Sequence, residues 1–157
     1  MRYSVKSRLL IGAVGALGAL AFAAAPASAA PGSFTLAGSG TYSPGLTLAG
    51  NPGQTLTYSG SGYGASGTYI GPISCTWTGF DAVGSLSQGT GSFSGTCTTL
   101  AGTESVSGNY ARSFNAVTID GRIGPAPFIG SYTARCAWAA GPPPSTSYQQ
   151  NCTFTVQ

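Results

Sequence analysis

Three carboxylates and three guanidiniums are all the charge that the chain carries beyond residue 30. They are Asp81, Glu104 and Asp120 against Arg112, Arg122 and Arg135, with no His and no Lys beyond Lys6. A Ser or Cys nucleophile needs a positioned base, usually His, so acyl-transfer chemistry has no partner here. A carboxylate pair could serve glycoside hydrolysis, and a hydrolase using Asp81, Glu104 or Asp120 is the remaining enzymatic alternative. Their settings speak for a blander role. Asp81 follows Phe80 at a strand end, Glu104 sits in a Gly-Thr stretch and Asp120 precedes Gly121. Each reads as a solvated turn residue. No G-x-x-x-x-G-K-[ST] run offers a phosphate cradle. The acids are too scattered for a calcium loop. The reading is a non-enzyme without cofactor or metal.

The remaining reactive side chains are four cysteines, Cys75, Cys97, Cys136 and Cys152. No C-x-x-C spacing suggests zinc. An even count in an exported chain suggests two disulfides, and three connectivities are open. The sequential one, Cys75–Cys97 with Cys136–Cys152, closes two local loops and is preferred. Gly67-Thr68-Tyr69 leads to Cys75-Thr76-Trp77 much as Gly130-Ser131-Tyr132 leads to Cys136-Ala137-Trp138. Duplicated half-domains would give this echo, and so would two strands that each bury a Trp beside a disulfide.

Export follows from the other end of the chain. The six Lys and Arg against three acids give a formal charge of +3. All of the surplus lies in Arg2, Lys6 and Arg8, ahead of the apolar run Leu9 to Ala25 and the Ala27-Ser28-Ala29 cleavage pattern. These are the three regions of a secretory signal peptide. Residues 1–29 are therefore expected to be removed, leaving residues 30–157 as one secreted, extracellular domain without stable membrane insertion. Its net charge is zero, which excludes a basic nucleic-acid surface.

The elements that must hold these residues are strands. From residue 30 on, 22 Gly, 17 Ser and 18 Thr fill 57 of 128 positions. Helix formers are scarce and Gly or Pro interrupts most ten-residue windows, which disfavours helix. Apolar residues alternate with polar ones, as in Leu56 and Tyr58 against Thr55, Thr57 and Ser59. The same period of two groups Ile73, Cys75 and Trp77, then Phe93 and Cys97, Val106 and Tyr110, and Val117 and Ile119. It continues through Phe128, Tyr132, Ala134, Cys136 and Trp138, and through Cys152, Phe154 and Val156. Period two marks half-buried antiparallel strands. Turns are expected at Ser43-Pro44-Gly45, Asn51-Pro52-Gly53, Arg112 to Asn115 and Asp120-Gly121. The fold class is all-β, an antiparallel immunoglobulin-like β-sandwich or a small barrel of about eight strands.

Binding suits this composition better than catalysis. Rigid aromatics among small polar residues recognise neutral polar ligands. Tyr63, Tyr69, Phe80 and Tyr148 lie near expected loops and strand ends. Pro142, Pro143 and Pro144 would stiffen a projecting loop with Tyr148 at its base. The expected partner is a secreted protein or a cell-surface glycan, and Phe34 to Leu36 could add to another sheet as an edge strand. A small-ligand carrier with a cleft between sheets is the alternative. Asn151-Cys152-Thr153 fits a glycosylation sequon, with its Cys expected to be buried.

The Ala-rich leader, the Gly-Ser-Gly-Thr-Tyr-Ser-Pro-Gly-Leu segment at residues 38–46 and the paired cysteines resemble small secreted all-β proteins of high-GC actinobacteria. That resemblance implies an immunoglobulin-like two-disulfide domain and carries no assigned activity. The enediyne-binding apoproteins similar to neocarzinostatin share the two disulfides, but theirs close much shorter loops. The subtilisin-inhibitor family presents a Cys-Pro reactive loop, and no Cys here precedes Pro.

Overall fold

A computed structural model describes residues 31–124 and 130–157. The expected leader at 1–29, and Phe128 on its expected apolar face, lie outside the described residues. Eight strands follow one another in chain order: β1 Gly32–Leu46, β2 Gln54–Ser66, β3 Gly71–Asp81, β4 Gln88–Thr99, β5 Gly102–Ser113, β6 Ala116–Gly124, β7 Gly130–Ala140 and β8 Ser145–Val156. Each pairs antiparallel with its neighbours, and β8 returns to β1, closing an up-and-down barrel. The all-β class and the strand number are as expected. Of the two expected architectures the small barrel is found and the immunoglobulin-like sandwich is not: among the described residues one sheet closes on itself.

Closure has a plain consequence for Phe34 to Leu36. These residues pair with β2 on one side and with β8 on the other, so they form no edge strand. A closed barrel has no unpaired edge at all.

Alternation puts the apolar set inside. Aromatic rings form a continuous column through the interior: Phe34 stacks on Phe154 at 4.6 Å, Trp77 lies 6.5 Å from Phe154, and Tyr58 stacks on Trp77 at 4.0 Å. Tyr148 continues it, 6.5 Å from Tyr58 and 6.2 Å from Trp138. Eight strands enclose a space that side chains can fill, and here large rings fill it.

Glycine makes room for those rings. A Cβ on Gly40 would fall on the Tyr148 ring, and one on Gly121 would fall on Tyr132 and the carbonyl of Ser107. Such inward glycines let strands bend sharply past one another while an aromatic covers the gap. This is why Asp120-Gly121 is no turn. The pair lies within β6, with Gly121 opposite Tyr132. The Ser43-Pro44-Gly45 turn is likewise absorbed into β1. It forms an irregularity there, where the pairing with β8 steps from Thr41↔Ser147 to Leu46↔Ser145. Asn51 to Gly53 does end the β1–β2 loop, and Phe114 and Asn115 turn β5 into β6.

Both disulfides adopt the sequential pairing, Cys75–Cys97 and Cys136–Cys152. Each joins directly opposed residues of adjacent strands, β3 with β4 and β7 with β8. Both lie inside the barrel.

Candidate functional site

Outward hydroxyl residues pair in register on several faces of the barrel, and on β2 and β3 they are framed by exposed aromatics. On β2 and β3 the outward residues pair in register as Thr55↔Phe80, Thr57↔Thr78, Ser59↔Thr76, Ser61↔Ser74 and Tyr63↔Pro72. Seven hydroxyl residues thus lie between two exposed aromatics, Tyr63 at 60 % exposure and Phe80 at 48 %. From Thr55 to Tyr63 the stripe runs roughly 26 Å at the usual strand rise. Flanking strands extend it: Thr41 Oγ1 lies 2.7 Å from Thr57 Oγ1, and Ser92, Ser94 and Thr96 of β4 oppose Phe80, Thr78 and Thr76. A shallow hollow of about 340 Å³ opens over Thr57, Thr76, Thr78, Ser94 and Thr96. Neutral hydroxyls donate and accept alike, and a ring at each end supplies apolar area. The array suits a polar, uncharged, extended ligand.

Two expected binding residues are placed elsewhere. Tyr69 is 3 % exposed and packs against Phe34 with ring centroids 5.3 Å apart. Tyr148 is 4 % exposed, and its hydroxyl donates to the carbonyl of Thr57 at 2.9 Å. Tyr148 sits at an inward position of β8, while Tyr69 ends the single 3-10 turn Gly67–Tyr69 between β2 and β3 and is buried against Phe34. Pro142, Pro143 and Pro144 are exposed, but they form the short connection from β7 to β8 and not a projecting loop. Asn151 and Thr153 of the sequon point outward on β8 with Cys152 buried between them.

The carboxylates occupy three separate places. Asp120 is exposed on β6. Asp81 and Glu104 are not solvated turn residues: they are 0 % and 5 % exposed. Glu104 lies inside the barrel at the N-terminal end of β5, next to Tyr69. Burial raises its pKa, and the neighbouring Tyr69 hydroxyl partly offsets that rise. The same neighbourhood pushes Tyr69 up to about 12, burial first and the Glu104 charge second.

Asp81 lies at the opposite end, in a buried polar cluster. Its Oδ1 accepts from the backbone N–H groups of Val83 at 2.9 Å and Gly84 at 2.8 Å, and its Oδ2 lies 3.5 Å from Arg112 Nη2. Arg112 also donates to the carbonyls of Ser85, Leu86 (2.9 Å) and Gln88 (3.0 Å). Its guanidinium lies 4.2 Å above the Trp138 ring, a cation–π contact. The β3–β4 loop held in this way is bonded to the β1–β2 loop. Thr47 and Asn51 N–H donate to Gly84 O, and Leu86 N–H donates to Thr47 O at 2.9 Å. Two loops therefore close this mouth, with Arg112 as their anchor.

The buried Arg112 and Glu104 escaped the sequence reading, yet a signal was there. Residues 104, 106, 108, 110 and 112 share one parity with the apolar Val106 and Tyr110, so both charged residues had inward positions. The hydroxyl stripe needed the β2–β3 register, which alternation alone does not supply.

Comparison with protein-family models, with curated proteins and with solved structures gives no match.

Proposed function

We propose that this is a secreted, non-enzymatic recognition protein whose outer β2–β3 face binds a neutral cell-surface glycan. The observation that carries the reading is the stripe of seven hydroxyl residues between exposed Tyr63 and Phe80. Sugars present apolar ring faces and a dense set of hydroxyls, and the stripe offers the complement of both. Two disulfides favour an oxidising, extracellular setting. Between Tyr63 and Phe80 the outward residues of β2 and β3 are mostly Ser and Thr, unlike the apolar outer band of a membrane-spanning barrel. No helix among the described residues is long and apolar enough to cross a membrane.

The interior favours this reading over a small-ligand carrier. Its best-formed cavity measures about 20 Å³, whereas ligand pockets are commonly on the order of 300–1,000 Å³. Binding to an array of neutral and acidic polysaccharides tests the proposal. Wild-type protein should bind neutral chains, and Phe80→Ala and Tyr63→Ala should each weaken that binding. Capture of a protein partner with no glycan binding would replace the glycan by a protein ligand. Equal binding by wild type and both variants would remove the stripe from the account.

A further inference from the structure

The mouth anchored by Arg112 encloses a small chamber of mixed apolar and polar lining that the outer-face reading does not use. Its cavity of about 20 Å³ is lined by Tyr42, Tyr110, Arg112, Trp138, Tyr148 and Gln150, among others. A water molecule needs roughly 10–15 Å³ by this measure, so the space accepts one. Three of the lining groups have no hydrogen-bond partner among the described residues: Arg112 Nε, Trp138 Nε1 and the Tyr110 hydroxyl. Their residues are only 3 %, 6 % and 9 % exposed. Buried donors left without a partner are costly, and native interiors rarely tolerate them.

The chemistry of these groups selects the guest. Arg Nε and Trp Nε1 are donors only, whereas a Tyr hydroxyl can also accept. An occupant must therefore offer lone pairs to the two donors, and a proton of its own can go to the Tyr110 oxygen. Charge selects further. The Arg112 guanidinium is already compensated by Asp81 at 3.5 Å, so the chamber has no surplus positive charge for an anion.

We propose that the chamber is a binding site for one structural water, held by donors from Arg112 and Trp138 and by the Tyr110 hydroxyl. The water joins β5 to β7 across the closed mouth. It also gives Arg112 Nε a partner, while Nη1 and Nη2 hold the carbonyls of Ser85, Leu86 and Gln88. Recognition on the outer face does not depend on it.

A high-resolution crystal structure of the secreted protein, with water relaxation-dispersion measurements, tests this site. Ordered density of one water within hydrogen-bond reach of Arg112 Nε and Trp138 Nε1 is expected, together with a long-lived internal water. Trp138→Phe removes one donor and keeps a ring. It should shorten that water's residence roughly tenfold, the loss of one hydrogen bond. A dry chamber, an organic molecule in its place, or an unchanged residence time in the variant would overturn the proposal. Should Trp138→Phe fail to fold, the wild-type structure decides alone.

Discussion

Phe80 stands outward from β3 between Thr55 of β2 and Ser92 of β4, half exposed at 48 %. It supports no buried packing comparable to that of Trp77, three positions away inside the column. Phe80→Ala should therefore lower glycan affinity about tenfold or more, as truncation of an aromatic anchor does. Stability should stay within about 0.5 kcal/mol, as for other surface substitutions; calorimetric titration and urea unfolding measure the two separately. Glu104 is the opposite case, a buried carboxyl whose folded-state pKa lies above its ordinary value because burial disfavours its charge. The folded protein then holds that proton more tightly than the unfolded chain does. The stability it contributes is complete below the unfolded value, near pH 4.5, and is lost as pH rises through the folded value. Glu104→Gln should flatten that fall, and urea midpoints measured from pH 4 upward will show whether it does. At Asp81 the charge is paired and held by two N–H groups. Asp81→Asn leaves Arg112 buried without its counter-charge and should cost about 3–5 kcal/mol, read by the same unfolding assay.

Among the elements, the hairpins β3–β4 and β7–β8 are each tied by a disulfide between opposed residues. Their sequence separations are 22 and 16, so each closes a modest loop in the unfolded chain. Replacing Cys136 and Cys152 by Ser should remove about 3 kcal/mol, seen as a lower denaturant midpoint. Much at this scale was legible in the sequence. The alternation around Cys75, Cys136 and Cys152 placed all of them inward, and inward cysteines on adjacent strands can bridge. Asp120-Gly121 shows where reading stopped. A Gly after an Asp is a turn signal by local chemistry, but here the glycine answers a demand from Tyr132 on the next strand. Tyr69 and Tyr148 were misplaced for a related reason. Both lie close to a chain reversal, yet the parity of β8 turns Tyr148 inward and the 3-10 turn Gly67–Tyr69 buries Tyr69 against Phe34.

For the whole molecule, closure is the property that local patterns could not show. A sandwich and a barrel share strand count, alternation and turn spacing. They differ in whether the last strand returns to the first, and that depends on the β1–β8 register of Phe34↔Phe154 and its neighbours. Because the barrel has no edge, β1 cannot be removed as an accessory. Deleting residues 30–42 takes away pairing to both β2 and β8, and the product should lose the dispersed amide spectrum of a folded protein. On the proposed reading, closure around a filled core puts recognition on the outer face. Stacked rings occupy the interior and two loops seal one mouth, so the surface left for a ligand is the outside. The most direct measurement is amide chemical-shift mapping of isotope-labelled protein titrated with a neutral oligosaccharide that it binds. Shifts should gather on residues 55–63 and 74–80, along the stripe from Tyr63 to Phe80. Shifts confined instead to Tyr42, Arg112, Trp138 and Tyr148 would place the ligand inside the barrel and contradict this account.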